Sequence, residues 1–417
     1  MESKRVVVTG LGAITPIGNT VQDYWEGLVS GKNGACEITR FDSTLFKTHF
    51  ACEVKGYNPD DYFDKKTARK YDLFAQFDLI AADQAVADSG INAENTDLND
   101  VGVMITSGIG GVNHMYNEVM DYSQTDLTPR FSPFLITKMI VNMPSGVVSI
   151  KYGFRGPNFS TVSACASSAH AIIEAFNYIR WGKSTVIVAG GAGAAIGVCG
   201  IGGFNAMHAL STRNDDFLTA SRPFDLNRDG FVMGEGAGCL VLEEYEHAVA
   251  RGAKIYGEVV GGGCSADAYH ITAPHPDGLG GILSMKRALD DGGIAPNLIE
   301  HINTHGTSTP AGDVAEPIAI KEVFGDHAYN ISINSTKSMT GHLLGGAGAV
   351  EAIATLLALK NGIIPPTINH FDDDPNIDNR LDFTFNKAKK RDIHYALSNS
   401  FGFGGQNATL IFKKYES

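Results

Sequence analysis

Three short stretches set reactive side chains among residues that leave them room to act. Residues 161–170 read TVSACASSAH and run at once into the apolar AIIEAFNYI, so Cys165 falls where a buried, alanine-rich helix is predicted to begin. A thiol there feels the positive end of the helix dipole and unpaired backbone N–H groups, which favour thiolate and make it a nucleophile. His305 lies in NTHGTSTPAGD, just after the strand-like IEHINT, and is predicted to project from a strand end into small hydroxyl residues. His342 lies in NSTKSMTGHLLGGAGAVEA, at the start of a Gly/Ala-rich helix and five residues after Lys337. Neutral imidazoles in such loops can shuttle protons or donate to a carbonyl oxygen that is gaining negative charge. Most free cysteines are simply small buried hydrophobes, and Cys36, Cys52, Cys199, Cys239 and Cys264 keep that reading.

Groups of this kind need rigid elements behind them. Much of the glycine follows short apolar runs, in VVVTGLG, VMITSGIGG, VIVAGGAGA and EVVGGGC. That pattern reads as buried strands ending in tight turns, and so as an α/β architecture with active loops at the strand ends. YDLFAQFDLIAADQAVADSG reads as a helix with a glycine stop. The chain also matches itself faintly: ACASSAHAIIEA (164–175) overlays GHLLGGAGAVEA (341–352), setting Cys165 on His342. The neighbouring pieces agree in order, KRVVVTGLG with AKIYGEVVGGG, VGVMITSGIGG with HINTHGTST, and VIVAGGAGA with ALSNSFGFGG. A duplicated βα half would bring the starts of two equivalent helices together.

Composition excludes several classes. With 417 residues, 43% hydrophobic and 19% charged, the chain is in the soluble globular range. No apolar run reaches the length of a membrane span, and MESKRVVVTGLG contains no signal-peptide core, so a cytoplasmic location is expected. The six cysteines show neither a CxxC pair nor a Cys/His spacing suited to zinc. A net charge of -13 argues against a nucleic-acid surface and requires a local basic patch for any acidic partner. The lone Gly10-x-Gly12 reads as a strand-end turn and not as a dinucleotide loop.

SACASSAH, HGTSTPAGD, NSTKSMTGHLLGGAGAVEA, SNSFGFGGQNATLIF and RPFDLNRDGFVMGEGAG (222–238), in this set of places, closely resemble the 3-oxoacyl-acyl-carrier-protein synthases of the I/II type. The resemblance runs over essentially the whole chain. It implies a thiolase fold, five-layered αβαβα, built from two pseudo-symmetric halves (1–252 with the cysteine, 253–417 with both histidines) and assembled as a homodimer. It implies Cys165 as nucleophile, and His305 and His342 as the pair that holds a malonyl thioester carbonyl while carbon dioxide leaves. Thiolases use a second cysteine for the proton work, and initiating synthases have asparagine where this chain has His342. Lys337 and Glu351 are expected to support the loop geometry. The N–H groups of Cys165 and Phe401 are expected to form an oxyanion hole, with Phe401 closing over the cysteine as part of the FGFGG gate at 401–405 and Phe403 near the substrate. Thr272, Thr307 and Thr309 are expected on the malonyl side and Ile109 in the acyl pocket.

The same resemblance implies an acidic acyl carrier protein as partner, docking on Lys65, Lys66, Arg69 and Lys70 of DKKTARK and on Arg130. Pro129 and His208 stand where relatives often have basic residues, which alters that footprint. No resident cofactor or metal is implied, because 4'-phosphopantetheine arrives on the carrier. Pro317, within DVAEPIAI, is a further departure from the family's pattern, one that the first turn of a helix would tolerate. Two other readings keep the fold: a ketosynthase of a type II polyketide or aryl-polyene pathway, and a non-condensing partner like the chain-length factors. The intact cysteine and histidines argue against the second.

Overall fold

The computed structural model describes residues 3–416. Nine strands make the main sheet: β1 (Val6–Ile14), β2 (Val101–Ser107), β3 (Val186–Gly193), β4 (Gly236–Glu244), β5 (Gly257–Ala266), β6 (His301–Asn303), β7 (Ser332–Asn334), β8 (Tyr395–Gly402) and β9 (Gln406–Lys413). Five helices matter most for the site: α1 (Leu73–Ser89), α2 (Ser167–Arg180), α3 (Leu279–Gly292), α4 (Gly312–Phe324) and α5 (Ala347–Asn361).

The sheet order is β2-β3-β4-β1-β5-β9-β8-β6-β7. Counted outward from the β1–β5 seam, each side runs antiparallel, antiparallel and then parallel, with β7 added at the far edge. The three strand matches read from the sequence therefore fall on equivalent places, β1 with β5, β2 with β6 and β3 with β8. The seam itself is short, only the pairs Val6↔Val259, Val7↔Glu258 and Val8↔Gly257. Helices α2 and α5 pack against each other and against strands on both sides of the seam, while α1 covers β1, β3 and β4 and α3 covers β5 and β9. The result is an α/β structure of five layers, helix, sheet, helix pair, sheet, helix.

Two expectations change. The glycines of VVVTGLG, VIVAGGAGA and EVVGGGC do not end their strands, because β1 continues to Ile14, β3 runs through its glycines to Gly193 and β5 continues to Ala266. A Cβ at Gly10 would lie 2.2 Å from the Ala85 carbonyl oxygen, and one at Gly12 would lie 1.9 Å from that of Ala81. These glycines are flat places on which α1 rests, a use that looks like a turn in sequence. Helix α1 is entered through its Asp72 cap, and Gly90 at φ 69° stops it as its sequence predicts. The other change is Pro317, which stands in the second turn of α4 rather than the first. Its missing N–H leaves the Asp313 carbonyl without the usual helical donor.

Candidate active site

Cys165 sits in a one-turn 3₁₀ segment, Ala164–Ala166, that feeds directly into α2. Ala164 is in the left-handed region at φ 49°, a conformation that alanine takes only when held there. Ser167 supplies the hold: its Oγ accepts from the Ser163 N–H (2.9 Å) and donates to the Ala164 carbonyl (2.7 Å). The same device precedes α5, where the 3₁₀ turn Leu344–Gly346 starts from Leu344 at φ 52°. This fixes the repeat register: Cys165 matches Gly345, and His342 stands three residues ahead of the position that the sequence overlay assigned to it. His342 is held instead by RPFDLNRDGFVMGEGAG, its N–H donating to the Val232 carbonyl (2.8 Å) and its carbonyl accepting from Gly234 (2.9 Å).

His305 follows β6 on a loop whose two N–H groups, of His305 and Gly306, each donate to the Glu316 carboxylate at 2.9 Å. Asn399 of β8 donates to the same carboxylate at 3.0 Å. Glu316 and Asn399 were not among the sequence-derived site residues. The available signal was a carboxylate inside the otherwise apolar VAEPIAI of α4, which must find partners if buried.

These elements surround a cavity of about 410 Å³ whose wall includes Cys165, His305, His342, Thr272, Thr307, Thr309, Phe401 and Phe403. The two imidazole rings lie 5.2 Å apart at 85°, and both Nδ1 atoms are buried without a partner among the described residues. Lys337 and Glu351, each 1% exposed, form an ion pair behind this wall. Ile109 is not on the wall and is 40% exposed. Lys65, Lys66, Arg69 and Arg130 are exposed and Lys70 is half-buried.

The backbone N–H groups that favour the Cys165 thiolate are its own and that of Phe403, two residues beyond the expected Phe401. Phe401 lies within β8, opposite Asn407 in the ladder, with its ring 5.9 Å from that of His305. Gly402 between them approaches the nucleophile turn so closely that a Cβ would lie 2.7 Å from the Ser163 carbonyl oxygen. The loop beyond is latched: Asp267 N–H donates to Gly405 (2.8 Å), Gly404 N–H to Ile271 (2.8 Å), and the Asn407 amide to the Asp267 carboxylate (3.0 Å).

The thiolate expectation also changes. Burial pushes the Cys165 thiol up to about 11, outweighing the Phe403 N–H, the Lys337 cation and its own N–H. The resting group is therefore the thiol. Burial, with the Lys337 cation beside it, holds His342 well below the ordinary imidazole range, and His305 is held down by burial, Lys337 and His342 together. Both rings are neutral. Burial raises the carboxyls of Glu316 and Glu351 to about 7.

A buried thiol on the wall of a cavity can carry an acyl group as a thioester, and two neutral imidazoles on the same wall can hold an oxygen that is gaining charge. On a thiolase-type fold, that arrangement defines an acyltransferase of the condensing class. The chain belongs to the beta-ketoacyl synthase family, whose N-terminal domain profile matches residues 3–248 and whose C-terminal domain profile matches residues 256–371. It is 51% identical to the 3-oxoacyl-[acyl-carrier-protein] synthase 2 of Synechocystis sp., over 100% of this chain and 99% of that one. It is 49% identical to the protein of the same name from Coxiella burnetii, with 99% of each chain covered. A solved type II PKS acyl-carrier protein in complex with its ketosynthase is similar at a TM-score of 0.91 and 32% identity, covering 99% of this chain and 100% of that chain.

Proposed function

We propose that this enzyme elongates acyl chains in fatty acid synthesis, taking an acyl group from an acyl carrier protein and condensing it with malonyl carrier protein. The observation that carries this reading is the single cavity shared by Cys165, His305 and His342. In the first stage the Cys165 sulfur attacks the acyl thioester, the N–H groups of Cys165 and Phe403 hold the tetrahedral oxyanion, and the carrier thiol leaves with the proton that Cys165 gives up. In the second stage the malonyl carbonyl lies between His305 and His342, the C–CO₂ bond breaks, and its electron pair passes into the enolate. The enolate carbon attacks the acyl-enzyme carbonyl and expels the Cys165 sulfur, which regains a proton from solvent. The products are the 3-oxoacyl chain on its carrier and carbon dioxide.

Docking is assigned to Lys65, Lys66, Arg69, Lys70 and Arg130, none of which forms an ion pair among the described residues, so their charge is free to meet an acidic carrier. The carrier brings its own phosphopantetheine, and no resident cofactor is required. A homodimer fits the exposed Ile150 and Val162 beside the β2 edge of the sheet. No helix of the described residues is long and apolar enough to cross a membrane, and we place the enzyme in the cytoplasm. Full-length identities near 50% to synthases named for 3-oxoacyl chains, against 32% to the polyketide complex, favour fatty acid over polyketide synthesis.

Incubation with a series of acyl-carrier proteins, followed by intact-protein mass spectrometry, tests this. Loading of straight saturated chains onto Cys165, followed by condensation with malonyl carrier protein, is the expected result. Loading only of polyketide or aryl starters overturns the assignment to fatty acid synthesis.

A further inference from the structure

RPFDLNRDGFVMGEGAG contains an arginine that takes no part in the chemistry described above, yet is buried with each of its guanidinium nitrogens hydrogen-bonded. Arg228 is 7% exposed. Its Nε donates to the Thr309 carbonyl (3.1 Å) and its Nη2 to the Pro310 carbonyl (2.8 Å). Its Nη1 donates to the Asp225 carbonyl (2.8 Å) and to the Asp374 carboxylate (2.7 Å). Two more donors from the same stretch reach the neighbouring loop residue, the Gly230 N–H to the Ser308 carbonyl (3.1 Å) and the Arg222 N–H to the Ser308 hydroxyl (3.0 Å).

The loop needs that support. Ser308 stands at φ 68°, in the left-handed region that a side chain disfavours. Its Asp313 anchor takes the Ser308 N–H from the front of α4. Thr307 and Thr309 flank Ser308 on the cavity wall, their hydroxyls 3.0 Å apart. None of the groups that Arg228 holds belongs to the Cys165 turn or to the FGFGG loop.

We infer that Arg228 is a positioning residue for the malonyl half of the reaction alone: its planar fork fixes the carbonyls of Thr309 and Pro310, and thereby the place where the two threonine hydroxyls meet the malonyl thioester. Asp374 orients the fork. Lysine, a single flexible point charge, cannot serve these divergent acceptors together. The inference rests on the malonyl reading proposed above.

The test uses the full chain with Arg228→Lys and, separately, Asp374→Asn. Acyl loading of Cys165 is followed by intact mass, and release of carbon dioxide from malonyl carrier protein gives KM and kcat. For Arg228→Lys, loading stays within about twofold of wild type while kcat/KM for malonyl carrier protein falls about tenfold, chiefly through KM. Asp374→Asn shifts the same ratio about threefold. If Arg228→Lys does not accumulate as folded protein, Asp374→Asn decides by the same measure. Parallel loss of both half-reactions, or loss of neither, in variants of an active wild type overturns the inference alone. A wild type that loads acyl chains but releases no carbon dioxide from malonyl carrier protein overturns the functional reading, and this inference with it.

Discussion

The turns that open α2 and α5 are built alike and used differently. Each begins with an L residue in the left-handed region, Ala164 or Leu344, and runs through one 3₁₀ turn into a central helix. In the first, the middle residue is Cys165 and faces the cavity. In the second, the middle residue is Gly345, where a Cβ would lie 2.1 Å from the Gly108 nitrogen. One copy presents a reactive atom; the other is packed against the end of β2 with no room for any side chain. The chemistry of the second half is displaced to His342, just ahead of its turn. A duplicated frame thus supplies both halves of the reaction without duplicating the residues.

That contrast can be broken by substitution. Cys165→Ala removes the thiol of the cavity wall and should cut condensation by more than about a thousandfold, with no acyl adduct in the mass spectrum. Gly345→Ala, the same small change at the matching place, should leave the nucleophile intact but cost about 3 kcal/mol of stability in chemical denaturation, because backbone stands where the methyl must go. His342→Ala should retain acyl loading and lower carbon dioxide release about a hundredfold in a malonyl decarboxylation assay. The buried thiol should react with iodoacetamide about tenfold faster per pH unit from about pH 7 to pH 10. Because its folded value is raised to about 11, the plateau belongs near that pH; a plateau near neutrality would restore the helix dipole as the stronger influence. Ala164→Gly has the smallest expected effect, a gain of about 0.5 kcal/mol as the left-handed conformation is relieved, read as a higher denaturation midpoint.

What the sequence makes legible follows from what fixes each feature. The strands and their internal correspondence could be read because apolar runs bounded by glycine survive in linear order. The register of the two helix starts could not, since a three-residue slip is nearly one helical turn and Ala/Gly-rich segments look alike at either register. FGFGG poses the same difficulty on a strand: Phe401 and Phe403 share a parity, and only the point where β8 ends decides which backbone N–H acts on the Cys165 thiol. The Cys165, His305 and His342 constellation was legible from its motifs. Its protonation was not, because the dipole of a helix start is visible in sequence whereas burial is a property of everything packed around it. Glu316 and Arg228 escaped for a related reason: each acts on the back of a loop, through partners distant in the chain.

The pairing of Lys337 with Glu351 leaves the reaction chamber without a free cation. Among the described residues no lysine or arginine lies on the cavity wall, whose charged side chains are the carboxyls of Asp267, Asp313 and Glu316; the buried Lys337 and Arg228 behind it are already matched by carboxylates, and both imidazoles are held neutral. A malonate carboxylate drawn into this space gives up its hydration and meets no countercharge. Carbon dioxide, neutral and apolar, loses nothing there. The chamber therefore raises the energy of the anion relative to its product, so that ground-state destabilisation by desolvation pulls toward carbon dioxide loss before any catalytic group has moved.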